Sequence, residues 1–179
     1  MYLGIALASS FCVVNNFHVL MCANAVGVMC LVDFFFVRKK DMVLHHVLVL
    51  TQLHYINGHA DFEHKEKFVA TILSTEVSTI FLISKHFLEN TNLVVINNLA
   101  FVTTFVYFRI YNYAHQILFN DEVHRSCLKI SNNRFEYGQC YVGLYGLFLL
   151  NGYWCSLIIK AVWQQFIRSK QGKRCKTEL

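Results

Sequence analysis

Apolar positions in this chain run on for about twenty residues at a time instead of alternating with polar ones. Residues 17–37 are interrupted only by His18, Asn24 and Asp33. Residues 68–88 hold Glu76 near the middle and Lys85 near the end. Residues 93–118 are long and aromatic, with Arg109 inside, and residues 139–163 carry no charge before Lys160. A membrane-crossing helix needs roughly 20 mainly apolar residues, and all four stretches satisfy that. A fifth, residues 42–57, is shorter and more polar, yet at ~1.5 Å per residue it nearly crosses the hydrocarbon. Residues 2–14 are apolar but too short to span alone. Barrel strands would alternate every second residue over about ten positions, and no such alternation occurs. The pattern predicts an all-α polytopic transmembrane bundle of about five spans.

Composition supports the pattern. Hydrophobic residues make up 55% and charged residues 15%, against about 25% charged in soluble domains. Such a chain lacks the polar surface to coat a water-facing globule. With Phe 16, Tyr 9 and Pro 0, disorder is excluded as well. The net charge of +5 falls in two clusters, Arg38-Lys39-Lys40 and Arg168 to Lys176. Both flank apolar stretches, as expected at a cytoplasmic membrane face. No basic stripe with aromatic interleaving exists, so nucleic acid is not a partner.

With the 38–40 loop inside, the loop after Asn57 falls outside and the 89–92 turn inside. The 120–138 loop then falls outside, and the tail inside. The expected organisation is a membrane domain over residues 1–167 and a basic cytoplasmic tail over 168–179. The opening residues lack the charged start and small-residue cleavage site of a signal peptide. The final Lys176-Thr177-Glu178-Leu179 resembles a lumenal retrieval signal, but this topology puts it in the cytoplasm, so the match is read as coincidence. None of the seven cysteines forms a CxxC pair, so neither a zinc ribbon nor a redox motif is indicated. Most lie in apolar runs, where cysteine packs as a small hydrophobe.

The ionisable residues within the spans carry the chemistry. A charge at the centre of a crossing helix costs about 2.5–3.5 kcal/mol, so it faces protein or a wet cavity and has a partner. These residues are Asp33, His45, His46, Glu76 and Arg109. Residues equidistant from a hairpin turn share a depth. The turn at Lys39-Lys40 therefore sets Asp33 opposite His46. The turn at Asn90-Thr91 sets Glu76 opposite Phe105, one helical turn from Arg109, which is within an arginine's reach. Arg109 shares a 3.6-residue stripe with Asn98, Phe105, Asn112 and Gln116, pointing away from lipid. Thr79 shares the face of Glu76, with Thr75 and Ser78 adjacent. Asn151 and Trp154, one turn apart, line the last span. These polar groups either lock helix packing or line a working cavity; the residues leave both open. Adjacent histidines point about 100° apart, whereas helical metal pairs favour i,i+4 spacing, so no metal set is expected. His54, His59, His64, His115 and His124 read as edge or loop residues.

The ordered set resembles a known family. Asp33, Lys39-Lys40-Asp41 and Leu44-His45-His46 are similar to the span–loop–span entry of TLC-domain proteins. That family includes ceramide synthases and translocating-chain-associated membrane proteins. Thr75-Glu76-Val77-Ser78-Thr79-Ile80-Phe81-Leu82 resembles its E-x-S-x-P-F motif, with Ile80 where proline is usual. Thr104-Phe105-Val106-Tyr107-Phe108-Arg109-Ile110 resembles its FF-x-x-R-I span, and Leu150-Asn151-Gly152-Tyr153-Trp154 its final helix. The HD-x-x-D stretch of ceramide synthases reads Ser74 to Thr79 here, without the second carboxylate.

The closest likeness is to the small TLC-domain proteins. The resemblance implies a chain lacking one or two opening helices, in the endoplasmic reticulum or another internal membrane rather than the plasma membrane. It implies lipid handling or homeostasis, with Glu76, Ser78, Thr79, Asn98, Arg109, Asn112, Asn151 and Trp154 lining a binding cavity. The alternative is a ceramide synthase-like acyl transferase. His46 would be its base, beside His45 and steered by Asp33, and acyl-CoA its co-substrate, with no other cofactor. A weaker alternative is a chaperone or cargo receptor. Membrane lipid is the expected partner, and a membrane protein or a second copy could complete the bundle.

Overall fold

The computed structural model describes residues 19–59, 65–131 and 133–177. Among them lie seven α-helices and no strand. They are α1 (Val19–Asp33), α2 (Lys40–Gly58), α3 (Lys65–Ser74), α4 (Val77–Ser84), α5 (Thr91–Phe105), α6 (Asp121–Ile130) and α7 (Arg134–Thr177). A 3-10 turn, Lys85–Phe87, extends α4, and two π-helical segments, Val106–Asn112 and Ala114–Leu118, extend α5. The bundle is all-α, as the continuous apolar runs require. Residues 2–14 and His64 lie outside the described residues.

Three helical stretches are long and apolar enough to cross a membrane: Lys65–Phe87, Thr91–Leu118 and Arg134–Gln164. Met21–Asp33 is apolar but shorter. α2 has 19 residues, about 28 Å of helix, yet is too polar to join them. It packs against α1 and α7 and buries His46, Gln52 and Tyr55 among its apolar residues. His46 and Gln52 are turned inward, whereas His54 and Asn57 near its end are exposed. The outward faces of α5 and α7 are apolar: Leu93, Val95, Ile96 and Leu99 of α5 and Leu149, Ile159 and Val162 of α7 are all exposed. Soluble monomers rarely expose contiguous apolar patches beyond a few hundred Å², and a bilayer is the medium that suits this surface.

α2 and α7 form the central contact. Leu48, Val49 and Ile56 meet Cys140, Leu144 and Leu147 in one buried cluster. Two glycines permit the approach. A Cβ on Gly143 would stand 1.6 Å from Gln52 Nε2, and one on Gly146 would stand 2.8 Å from a Leu48 methyl. α4 and α5 are tied by Asn97, which donates to the Phe81 carbonyl at 2.7 Å and accepts from Ser84 at 2.7 Å.

Three sequence expectations need correction. The 17–37 stretch is helical only to Asp33, where the Phe36 and Val37 amides turn back onto the Asp33 carbonyl. The 68–88 stretch is two helices, interrupted at Thr75-Glu76. The 120–138 loop contains α6, which begins where Asn120 accepts from the Glu122 amide at 2.9 Å. Asp121 and Glu122 in its first turn and Lys129 in its last complement the helix dipole.

Candidate functional site

The interruption at Thr75-Glu76 begins with hydroxyls. Thr71 Oγ1 donates to the Lys67 carbonyl, Ser74 Oγ to Thr71, Thr75 Oγ1 to Ile72, and Ser78 Oγ to Thr75, all at 2.7–3.0 Å. Hydroxyls that bond back three or four residues bend helices. The Thr75 and Glu76 amides follow suit, pairing three residues back with Ile72 and Leu73. The rod therefore breaks without a proline, and Glu76 sits at the break, preceding α4.

Arg109 meets it from the first π-helical segment. It is 5% exposed and stands 3.4 Å from Glu76 Oε1. Its Nε donates to Ser78 Oγ at 2.9 Å, one terminal nitrogen to Asn151 Oδ1 at 3.3 Å, and the other to Thr79 Oγ1 at 2.9 Å. Thr79 in turn donates to Glu76 Oε2 at 2.9 Å. The guanidinium also faces the rings of Phe105 and Trp154 at 5.4 and 5.7 Å. One arginine thus joins α4, the π-helical segment and α7. The guanidinium fork, with five donors in fixed directions, suits this geometry where a lysine would not.

Asp33 and His46 stand at the same depth on α1 and α2, with Oδ2 4.0 Å from Nε2. That separation exceeds a direct hydrogen bond. The His45 ring lies 5.8 Å from that of His46 and 5.4 Å from Trp154. Although successive helix positions diverge, both imidazoles line one cavity. Three buried atoms there have no hydrogen-bond partner: Asp33 Oδ1, His45 Nδ1 and His46 Nδ1. Trp154 Nε1 donates to Asp41 Oδ2 at 2.9 Å. Asp41 precedes the apolar stretch of α2, and this bond holds its carboxyl below the ordinary value.

The cavity encloses about 370 Å³. Asp33, His45, His46, Glu76, Ser78, Thr79, Arg109, Asn151 and Trp154 all line it. Asn98 and Asn112 do not, although the 3.6-residue stripe put them with Arg109. A π-helix bonds i to i+5 and takes more residues per turn. From Phe105 on, the inward set is therefore Arg109, Tyr113 and Ile117, all buried like Phe105 itself, whereas Asn98 precedes the π-helical segments on regular α5 and is half-buried outside the lining. Asn112 is turned aside into a half-buried position. Sequence reasoning also missed Cys30 and Tyr113, which line the cavity, and the Asp41–Trp154 bond. No group of three or more His, Cys, Asp or Glu side chains suited to a metal ion occurs among the described residues.

An all-α bundle with lipid-compatible outer faces and a buried ionic network defines a polytopic membrane protein with a largely apolar interior chamber that carries a few polar groups. The family profile of the TLC domain matches residues 7–160, and the chain belongs to that family. No curated protein and no solved structure matches it.

Proposed function

We propose that the protein holds a membrane lipid in this chamber and acts in lipid handling within an internal membrane such as the endoplasmic reticulum. The observation that carries this reading is the contrast inside the cavity. Val26, Leu82, Phe101 and Leu157 supply apolar walls, while Asp33, His45 and His46 present polar atoms without protein partners. A buried polar atom left unpaired costs about 1–3 kcal/mol. A lipid head group with donors and acceptors relieves that cost, and the walls suit its hydrocarbon.

Native mass spectrometry of the purified protein tests the proposal. The wild type should retain one lipid class. The Asp33→Ala/His46→Ala variant should lose it by about tenfold or more, since hydrogen bonds to charged groups contribute roughly 1.5–3 kcal/mol. Retained lipid that mirrors the bulk membrane in both proteins would refute it.

A second reading, acyl transfer, is favoured by the two imidazoles and the carboxylate converging on one chamber. His46 would take the proton from a lipid amine or hydroxyl as that group attacks the thioester carbonyl. The carbon–sulfur bond then breaks and the thiolate leaves with the proton returned by His46, while Asp33, 4.0 Å away, would stabilise the protonated ring by its charge. Turnover with acyl-CoA and lipid acceptors should then vanish in His45→Ala/His46→Ala; activity surviving that change would remove the base.

A further inference from the structure

Away from the chamber, Cys127 of α6 and Cys140 of α7 bring their sulfur atoms to 2.6 Å. Both residues are 0% exposed, and both are free thiols in the structure. The sequence shows no CxxC, because the two lie 13 residues apart on different helices. Their surroundings hold them in register. Gln52 Nε2 donates to the Cys140 carbonyl at 3.0 Å, and Tyr55 OH donates to the Cys127 carbonyl at 3.4 Å. Tyr55 OH also lies 3.1 Å from Ser131 Oγ, which donates to the Cys127 carbonyl at 2.6 Å. α2 thus clamps the backbone of both cysteines at one end of the bundle. The proposal rests on the topology read from the Lys and Arg count, in which Arg38-Lys39-Lys40 and the 168–176 cluster are cytoplasmic and outweigh Arg125, Lys129 and Arg134 near the two cysteines, so that this end faces the opposite, non-cytoplasmic side. Disulfides form and persist in the oxidising spaces on that side.

We propose that Cys127 and Cys140 are a disulfide modification site, closed in the mature protein, which pins α6 and the turn after it to α7. The closure is a thiol–disulfide exchange made while the chain folds, before α6 and α7 bury the pair. One cysteine thiolate attacks the disulfide of an oxidised dithiol oxidoreductase and forms a mixed disulfide. The second thiolate displaces the oxidoreductase sulfur. Each cysteine gives up its proton, the pair gives up two electrons, and the carrier leaves as a dithiol. Complete burial then shields the bond from soluble reductant, which makes it a structural staple rather than a reversible switch.

The test uses the full chain, with thiols blocked by N-ethylmaleimide as membranes are solubilised and again after denaturation without reductant. The expected result is that neither Cys127 nor Cys140 is alkylated. A peptide pair joining them should be found, and it should separate on reduction. In Cys127→Ser, Cys140 should become fully alkylated. Full alkylation of both cysteines in the unreduced wild type would overturn the proposal, as would either cysteine joined to another partner. The wild-type measurement decides the matter even if the variant fails to fold.

Discussion

Arg109→Leu will remove most of the folded, monodisperse protein recovered in detergent, whereas Lys85→Leu will leave it nearly unchanged. Arg109 is buried and binds Ser78, Asn151, Glu76 and Thr79 at once. Leucine would strand Glu76 without its counter-charge and leave three further acceptors without a donor. Removing one partner of a buried ion pair costs about 3–5 kcal/mol, a large share of the 5–15 kcal/mol that typically holds a protein folded. Lys85 is exposed beyond α4, and such substitutions fall within about 0.5 kcal/mol. Thermal unfolding followed by size-exclusion recovery measures both. Arg109→Met combined with Glu76→Met should recover part of the loss, because no lone charge remains. Equal melting of the two single variants would show that the network contributes nothing.

Gly143→Val will be the other severe change. Its new Cβ would collide with Gln52, 1.6 Å from Nε2, 2.5 Å from Cδ and 2.9 Å from Cγ. Gln52 is 1% exposed and cannot swing into solvent. The central α2–α7 contact must open or the amide must abandon the Cys140 carbonyl. Overpacking of this kind costs typically about 1–3 kcal/mol, and the lost hydrogen bond adds to it. Gln52→Ala in the same chain should restore part of the melting temperature by clearing the space. If Gly143→Val melts like the wild type, the close approach of α2 and α7 is wrong.

The long rods were legible because a bilayer demands unbroken apolar runs, and hairpin symmetry was enough to pair Asp33 with His46 and Glu76 with Arg109. What failed to show in the sequence was anything that changes helical phase or depends on long-range contact. The break at Thr75-Glu76 comes from hydroxyl bonds that a hydropathy pattern does not register. The π-helical segments shift the face beyond Phe105, so a regular period placed Asn112 in a chamber it does not line; Asn98 precedes the shift on regular helix, and the hydropathy pattern does not show that the lining stops short of it. The Trp154–Asp41 and Cys127–Cys140 pairs join residues whose neighbours give no clue to each other. α6 had a capping asparagine and a dipole-matched charge order that a polar loop reading overlooked.

The hydroxyl-made interruption in the third rod differs from a proline elbow in one respect. Proline deletes an amide proton for good, but Ser74, Thr75 and Ser78 only divert hydrogen bonds, and every amide remains able to rejoin a continuous ladder. The joint beside Glu76 therefore keeps its full set of backbone donors, where a proline corner would have given one up.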